Sequence, residues 1–102
     1  MFGKRIRELR ESKGMLLRQV AAILEVDTAT VSKIERGDRT AKESQLKLLA
    51  KIFEIECDEL KTIWLADKIY HLVENEQYGD LALKAAEEEF LYKKSMAKKK
   101  IS

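Results

Sequence analysis

The segment Thr28–Arg36 carries the side chains best suited to chemistry in this chain, short hydroxyls and cations at helical spacing. Val31 and Ile34 would face inward, which leaves these residues for the outer face: Thr28, Ala29, Thr30, Ser32, Lys33 and Arg36. Groups of this kind donate hydrogen bonds to base edges and phosphates, which line the major groove of double-stranded DNA. A helix of this composition is therefore suited to lie in that groove.

The other chemically capable residues are isolated from one another. His71 and Cys57 are each the only residue of their type, so they cannot supply the ligands of a structural zinc site. Three consecutive carboxylates, Glu87, Glu88 and Glu89, would point about 100° apart on a helix and cannot converge on one ion. We therefore expect no enzyme, metal or cofactor. Cys57 is interpreted as a small buried group, with a thiol sensor as the alternative, and His71 as a surface or interface residue.

Charge is distributed unevenly, although 20 basic and 18 acidic residues leave a formal net charge of only +2. Residues 1–53 carry twelve basic and seven acidic groups, residues 54–92 carry three and eleven, and the last ten residues add five lysines. This asymmetry suggests that the basic part meets a polyanion while the acidic part faces away from it. Solvated helix faces in a charge-rich protein are the alternative explanation.

Length and composition limit the class of protein. The 102 residues make one domain with room for an appendage. No run of about 18 apolar residues is present, and the charged start does not resemble a secretory signal peptide. A single cysteine excludes an internal disulfide and suits a reducing compartment. We expect a cytoplasmic protein that neither spans nor binds a membrane.

Apolar stripes with helical spacing, together with the absence of proline, predict an all-α fold. The first helix follows from Phe2, Ile6 and Leu9, and the second spans Leu17 to Leu24. The later boundaries are predicted as follows: a third helix between an N-cap at Asp27 and Gly37, a fourth after a capping box at Thr40 and Glu43, a fifth from Cys57 or Asp58 to about Asn75, and a sixth from Asp80 to about Lys94.

Three stretches of the sequence occur in this order: KRIRELRESKG, then LRQVAAILEVDTATVSKIER with its SKIERG signature, then LKLLAKIFEIECDEL. With them the chain resembles the phage-repressor-like (Xre-type) helix-turn-helix family over about residues 3–65. The resemblance implies a five-helix repressor-like DNA-binding domain, here with an elongated fifth helix and an added C-terminal helix. It also implies that double-stranded DNA is the partner, with Thr28–Arg36 as the recognition helix.

Matching positions to the family assigns roles to individual residues. Base contacts are implied for Thr28, Ala29, Ser32 and Lys33, and phosphate contacts for Arg18, Thr30, Arg36, Arg39 and Lys42. Lys33 could donate to guanine O6 or N7, whereas Ala29 could only pack on a thymine methyl. Arg10 and Glu35 match a buried structural salt bridge of some relatives, with ordinary surface charge as the alternative.

Three departures from the family pattern concern the turn, a phosphate contact and the start of the fourth helix. Glu25 stands where glycine is usual, so it must adopt a left-handed conformation at a cost of about 1–2 kcal/mol or use another turn geometry. Leu16 and Leu17 replace the usual Ser/Thr-Gln, whose glutamine holds a phosphate. Arg18 or the N–H groups of the helix would have to replace that contact. The usual proline near Ala41 is also absent.

Residues 58–92 exceed what the five-helix domain requires and carry a wide apolar surface. We expect a homodimer interface here, built on Trp64, Ile69, Leu72 and Val73. The alternative is that the sixth helix folds back and covers the fifth within one chain. The predicted organisation is a DNA-binding domain over 1–65, a dimerisation extension over 66–94 and a flexible basic tail over 95–102.

Together these observations predict a sequence-specific transcriptional regulator that binds a pseudo-palindromic operator as a dimer. Its two recognition helices would lie about 34 Å apart, one turn of DNA. Small size suggests a phage-type repressor or a controller protein of a restriction–modification system. The alternative is an antitoxin-type or adaptor protein that binds another protein through its C-terminal helices.

Overall fold

A computed structural model describes residues 1–101 and the side chains up to Lys99; the described residues form six α-helices and no strand. The helices are α1 Phe2–Ser12, α2 Leu17–Leu24, α3 Thr28–Arg36, α4 Glu43–Phe53, α5 Cys57–Val73 and α6 Gly79–Ile101. The predicted all-α class is confirmed, including the elongated fifth helix and the added sixth. None of the helices within residues 1–101 is apolar over a length that would cross a bilayer.

Contacts divide the chain into two units, Met1–Asp67 and a second that begins at Lys68. The first unit contains the hydrophobic core, to which α1–α5 all contribute. Its buried side chains are Phe2, Ile6, Leu9, Val20, Ala21, Leu24, Val31, Ile34, Ala41, Leu46, Leu49, Ala50, Phe53, Leu60 and Trp64. Burying one large apolar side chain contributes about 1.5–3 kcal/mol, so this core holds the short helices, which would be marginal alone.

Three helices of the first unit end in the same left-handed turn. The residues at the turn are Glu25 with φ 56°, Gly37 with φ 82° and Glu54 with φ 55°. After α2, the N–H of Val26 donates to the carbonyl oxygen of Ala21 at 3.0 Å, as in a Schellman motif. Glu25 therefore adopts the left-handed conformation, the first of the two geometries expected.

Glu25→Gly is expected to raise the free energy of unfolding by about 1 kcal/mol, because glycine adopts a positive φ without the Cβ penalty. Gly37→Ala is the matched control at the equivalent turn. A Cβ at Gly37 would meet nothing within 4 Å, so its cost should come from φ alone. Urea unfolding of both variants measures the effect. A Glu25→Gly variant less stable than the parent would contradict the strain assigned to this turn.

Two predicted boundaries are wrong. The predicted capping box at Thr40 and Glu43 does not form, because α4 begins at Glu43 with Lys42 as its N-cap residue. The N–H of Lys42 donates to Oε1 of Gln45 at 2.8 Å, so a glutamine three residues into the helix satisfies the free donor.

At the other end of the chain, α6 continues to Ile101 instead of ending near Lys94. The predicted tail 95–102 is thus helical through residue 101, and Ser102 lies outside the described residues.

Trp64 lies in the core of the first unit and not on a free surface. Its exposed fraction is 7%, and its Nε1 donates a hydrogen bond to the carbonyl oxygen of Ala41 at 2.7 Å. The predicted place of Trp64 in a dimer interface is therefore wrong, since its indole is already covered within its own unit. Trp64→Asp is therefore expected to unfold the first unit, because it would place a charge in the core.

The second unit comprises the end of α5, a short connection and α6. Gly79 opens α6 and is buried, and an added Cβ there would collide with the carbonyl oxygen of Val73. This close approach lets α6 begin directly against the end of α5. No other residue between Lys68 and Lys99 is buried, so this unit has no hydrophobic core of its own.

Candidate nucleic-acid interface

The start of α3 is fixed by Asp27. Its Oδ1 accepts from the backbone N–H of Thr30 at 2.8 Å and from the Thr30 hydroxyl at 2.6 Å. The hydroxyl bond and then the N–H bond hold the pKa of the Asp27 carboxyl below its usual value, because both stabilise the charged form. The helix therefore begins at Thr28, and the N-cap predicted at Asp27 is confirmed.

This cap also engages one residue that was predicted to touch phosphate. The Thr30 hydroxyl has one proton, and Asp27 already accepts it. Thr30 is half-buried. The structure thus places Thr30 as part of the cap, where its hydroxyl cannot donate to a phosphate while the bond to Asp27 persists.

The outward face of α3 is polar and basic. Val31 and Ile34 are buried, whereas these residues are exposed or half-buried along the opposite side: Thr28, Ala29, Ser32, Lys33 and Arg36. Small side chains stand at the N-terminal end and cations towards the C-terminal end. Side chains three to four residues apart share a helix face, so the structure brings the predicted base-reading residues into one strip.

Arg36 is held in place by two neighbours. Its Nη1 donates to Oγ of Ser32 at 2.9 Å, and its Nε donates to Oδ2 of Asp38 at 3.1 Å. Lys33 is exposed, and among the described side chains none forms a hydrogen bond or ion pair with it. Lys33 can therefore meet a new acceptor directly, while Arg36 must exchange Asp38 for it.

The carboxylates near this positive strip are all engaged within the protein. The chain has three acidic residues between positions 27 and 38, and each is bonded within the protein: Asp27 to Thr30, Glu35 to Arg10, and Asp38 to Arg36. Glu35 points away from the outward face, with a side chain 6% exposed. An approaching polyanion thus meets the ammonium group of Lys33 directly, whereas the charge of Arg36 is offset by Asp38 until that ion pair opens.

The remaining predicted phosphate contacts flank α3. Arg18 is exposed in the first turn of α2, and Arg39 and Lys42 are exposed in the connection from α3 to α4. The free N–H groups of a helix start also attract anions. Among the described residues, none forms a hydrogen bond or ion pair with these three side chains. Each cation can therefore change its rotamer to meet a phosphate.

Gln19 at the start of α2 is a contact residue that was not predicted from the sequence. Its Oε1 accepts the N–H of Leu16 at 2.7 Å, which fixes the helix start where the family has Ser/Thr-Gln. The amide NH₂ of Gln19 remains a donor at this exposed end. The signal was present in the spacing, because Leu16 and Gln19 stand as N-cap and N3 residues, like Lys42 and Gln45.

The inner side of α3 is attached to α1 by an ion pair. Nε of Arg10 lies 2.7 Å from Oε2 of Glu35, and Nη2 lies 3.1 Å from Oε1, a two-pronged arrangement. Arg10 also donates to the carbonyl oxygen of Met15 at 2.9 Å. The hydrogen bond with Glu35 raises the pKa of the guanidinium. The side chains are only 13% and 6% exposed, so the surface-charge alternative does not hold for this pair.

A close backbone contact holds α1 and α3 together next to this pair. A Cβ added to Gly3 would lie 2.6 Å from the carbonyl oxygen of Glu35 and would also collide with that of Ile34. Only glycine allows α1 to approach the end of α3 this closely. The orientation of the candidate recognition helix therefore depends on α1.

Apart from Trp64, the residues predicted to form a dimer interface lie in the second unit. Ile69 and Leu72 are exposed and Val73 is half-buried, and together with Leu83 and Phe90 they line one apolar groove.

His71 is exposed and bonds to Glu74 at 2.9 Å, while Cys57 is half-buried against the core of the first unit. Among the described side chains, no three His, Cys, Asp or Glu residues cluster as metal ligands would.

Comparisons with known proteins agree with this geometry. Residues 6–60 match the model of the Helix-turn-helix family. A curated protein of Bacillus subtilis (strain 168), named uncharacterized HTH-type transcriptional regulator RghRB, is 37% identical over 60 residues. That alignment covers 58% of this chain and 43% of the relative, so the chain spans less than half the length of that protein. No solved structure matches the chain.

Proposed function

The chain belongs to the Xre-type helix-turn-helix family, and on that premise we propose that it is a sequence-specific transcriptional regulator. It binds double-stranded DNA as a homodimer on a pseudo-palindromic operator and performs no catalysis. The observation that carries the proposal is the outward strip of α3, whose cations stand beside carboxylates that are all bonded internally. The name of the relative from Bacillus subtilis supports the regulatory role.

In the proposed complex, α3 lies in the major groove with its N-terminal end against the base edges. Thr28 and Ala29 are small enough to let the helix approach closely, and Lys33 donates to guanine. Arg18, Arg36, Arg39 and Lys42 contact phosphates and set the register of the protein on the duplex. Thr30, as a cap, keeps the start of α3 in place instead of contacting phosphate.

The proposal is tested by selecting bound duplexes from a random pool and titrating the best sequence against its scrambled version at fixed salt. We expect the selected duplex to bind at least about a thousandfold more tightly, as specific complexes usually do. The selected sequence should contain two related half-sites about 10 base pairs apart, centre to centre. Equal affinity for the two duplexes would refute sequence-specific regulation.

Lys33→Ala and Arg36→Ala should have different effects on DNA binding. Lys33→Ala is expected to relax the preference at one base pair and cost about 1–3 kcal/mol on the selected duplex only. Arg36→Ala should weaken binding to every duplex and lower the salt slope by about one. Lys47→Ala, on exposed surface of α4, removes the same charge and is the control. If Lys33→Ala weakens all duplexes equally, α3 does not read bases through Lys33.

The antitoxin-type or adaptor role remains the second candidate, because the second unit exposes much apolar surface. The two roles differ in what covers that surface. A regulator covers it with another copy of itself, whereas an adaptor leaves it open until a different protein binds. Sedimentation of the purified protein at micromolar concentration separates them: a persistent monomer without sequence preference on DNA would favour the adaptor.

A further inference from the structure

The second unit exposes large apolar side chains on both of its helices. Leu72 is 78% exposed and Phe90 is 68% exposed. The groove between the end of α5 and α6 is lined by Ile69, Leu72, Val73, Ala82, Leu83, Ala86, Glu87 and Phe90. Contiguous exposed apolar surface marks an interaction site, and none of the described side chains of the unit covers this groove.

One stripe of α6 is the candidate contact. Leu83, Ala86, Phe90 and Ala97 recur at helical spacing along this stripe, and the first three line the groove. Around Phe90 the surface forms a second hollow, whose other lining residues are charged or small: Ala86, Glu89, Lys93 and Lys94. An apolar stripe with charged flanks is the usual form of a helix-pairing surface.

The charges on the two flanks follow a symmetric order. On one flank, Glu87 precedes Phe90 and Lys94 follows Phe90, so that Glu87 and Lys94 are seven residues apart, about two turns of the helix. On the other flank, Glu89 precedes and Lys93 follows. The midpoint of each pair lies at residue 90 or 91. Each flank is thus acidic before this point and basic after it.

We propose that α6 pairs antiparallel with α6 of a second copy, about a two-fold axis near Phe90 and Leu91. In such an interface every contact occurs twice, because residue i of one copy meets residue j of the other and the reverse. Glu87 then faces Lys94 of the second copy, and Glu89 faces Lys93. Phe90 of each copy packs into the hollow of the other.

The same charges favour the antiparallel pair over a parallel one. In a parallel pair, the flank of one helix meets the opposite flank of the other about five residues away, so Glu89 would face Lys94, whereas Glu87 would face Ala82. The antiparallel pair gives each of the four charged residues a partner of opposite charge. In an unpaired chain, Glu89 and Lys93 bond to each other at 3.4 Å with both side chains exposed, and this weak pair can be exchanged for the intermolecular one.

A second copy of this chain fits the stripe better than an unrelated partner. Self-pairing requires opposite charges at equal distances from one point, on the same flank of the stripe. Binding to an unrelated partner does not require this symmetric arrangement of charges, yet both flanks of α6 have it. The inference deepens the proposed function by supplying the interface of the proposed homodimer, and the DNA contacts of the first unit do not depend on it.

Charge reversal tests the pairing in the full chain. Glu87→Lys/Glu89→Lys makes both flanks basic throughout, and Lys93→Glu/Lys94→Glu makes them acidic throughout. In sedimentation equilibrium at low salt, each double variant alone should dimerise at least about tenfold more weakly than the parent. Mixing the two should restore dimers, now as a heterodimer. Glu76→Lys/Glu88→Lys carries the same change in charge away from the stripe and should leave dimerisation unchanged.

The outcomes separate the possibilities. A parent that is monomeric, or reversal variants that dimerise as well as the parent, would overturn the antiparallel pairing. Restoration in the mixture shows that the variants are folded, so their weakness alone is not due to unfolding. If the variants remain dimeric and select one DNA sequence, only the pairing fails. If charge reversal acts as expected but no duplex is preferred, the proposed regulation fails and the pairing stands.

Discussion

Glu35→Ala is expected to lower the free energy of unfolding of the first unit by about 2–4 kcal/mol. The change removes both carboxylate oxygens that accept hydrogen bonds from the Arg10 guanidinium, and the side chain of Arg10 is only 13% exposed. Arg10 would keep its hydrogen bond to the carbonyl oxygen of Met15 and the Glu11 carboxylate at 3.9 Å, but it would lose the hydrogen-bonded carboxylate that compensates most of its burial. Removing one member of a buried pair leaves the other uncompensated, which costs more than the pair contributes.

The double variant Arg10→Met/Glu35→Leu is the control for this prediction. It removes both charges and fills the space with apolar groups, so it should be more stable than Glu35→Ala. Urea unfolding followed by circular dichroism gives the three free energies. If the double variant is less stable than the single one, charge burial is not what makes Glu35→Ala harmful. Binding of the selected duplex should fall together with stability, because the pair orients α3.

Gly3→Ala is expected to be the second strongly destabilising change. Small-to-large replacements in packed regions cost about 1–3 kcal/mol, and the upper part of this range applies because a Cβ would meet backbone carbonyl oxygens of α3. Backbone cannot move aside as a flexible side chain can. Alanine also favours helix over glycine by about 1 kcal/mol, so the net loss should be about 2 kcal/mol.

Lys4→Ala provides the matched control for Gly3→Ala. It lies at the next position of α1, and its side chain is exposed, so the free energy of unfolding should hardly change. Equilibrium unfolding in urea measures both variants. A Gly3→Ala variant as stable as the parent would mean that α1 and α3 tolerate a wider spacing. The same variant should weaken binding to the selected duplex if the spacing also orients α3.

Local signals allowed the centre of the fold to be predicted. Asp27 and Gly37 bound α3 as expected because each satisfies free backbone groups in its own turn, without help from distant residues. Glu25 adopts the left-handed conformation that the family's glycine implied. The C-terminal end of α6 was not predicted correctly, because its lysine-rich sequence contains no glycine or proline that would mark where the helix stops.

Periodicity failed where it had to identify the partner of an apolar surface. Leu60, Trp64 and Leu72 belong to one helix and follow one pattern, yet the first two are buried and the third is 78% exposed. Spacing shows that a face is apolar but not which element covers it. Ala41, in a connection without any periodic signal, supplies the hydrogen-bond acceptor that fixes Trp64, and only the tertiary structure shows this.

Within the candidate site, the sequence indicated the outward residues of α3 but not how they bond to one another. The hydroxyl of Thr30 and the guanidinium of Arg36 both have partners within the chain. These bonds depend on rotamers, which spacing does not determine. The difference between an available Lys33 and an engaged Arg36 is therefore a result of the structure.

The burial of Trp64 has a spectroscopic consequence. It is the only tryptophan of the chain and lies in the first unit, whereas the three tyrosines, Tyr70, Tyr78 and Tyr92, all lie in the second. An indole that is 7% exposed should emit at shorter wavelength than a solvated indole, and its emission should shift to longer wavelength on exposure to water. Selective excitation of the indole thus monitors unfolding of the DNA-binding unit without a label, while tyrosine absorbance reports separately on the exposed helices beyond it.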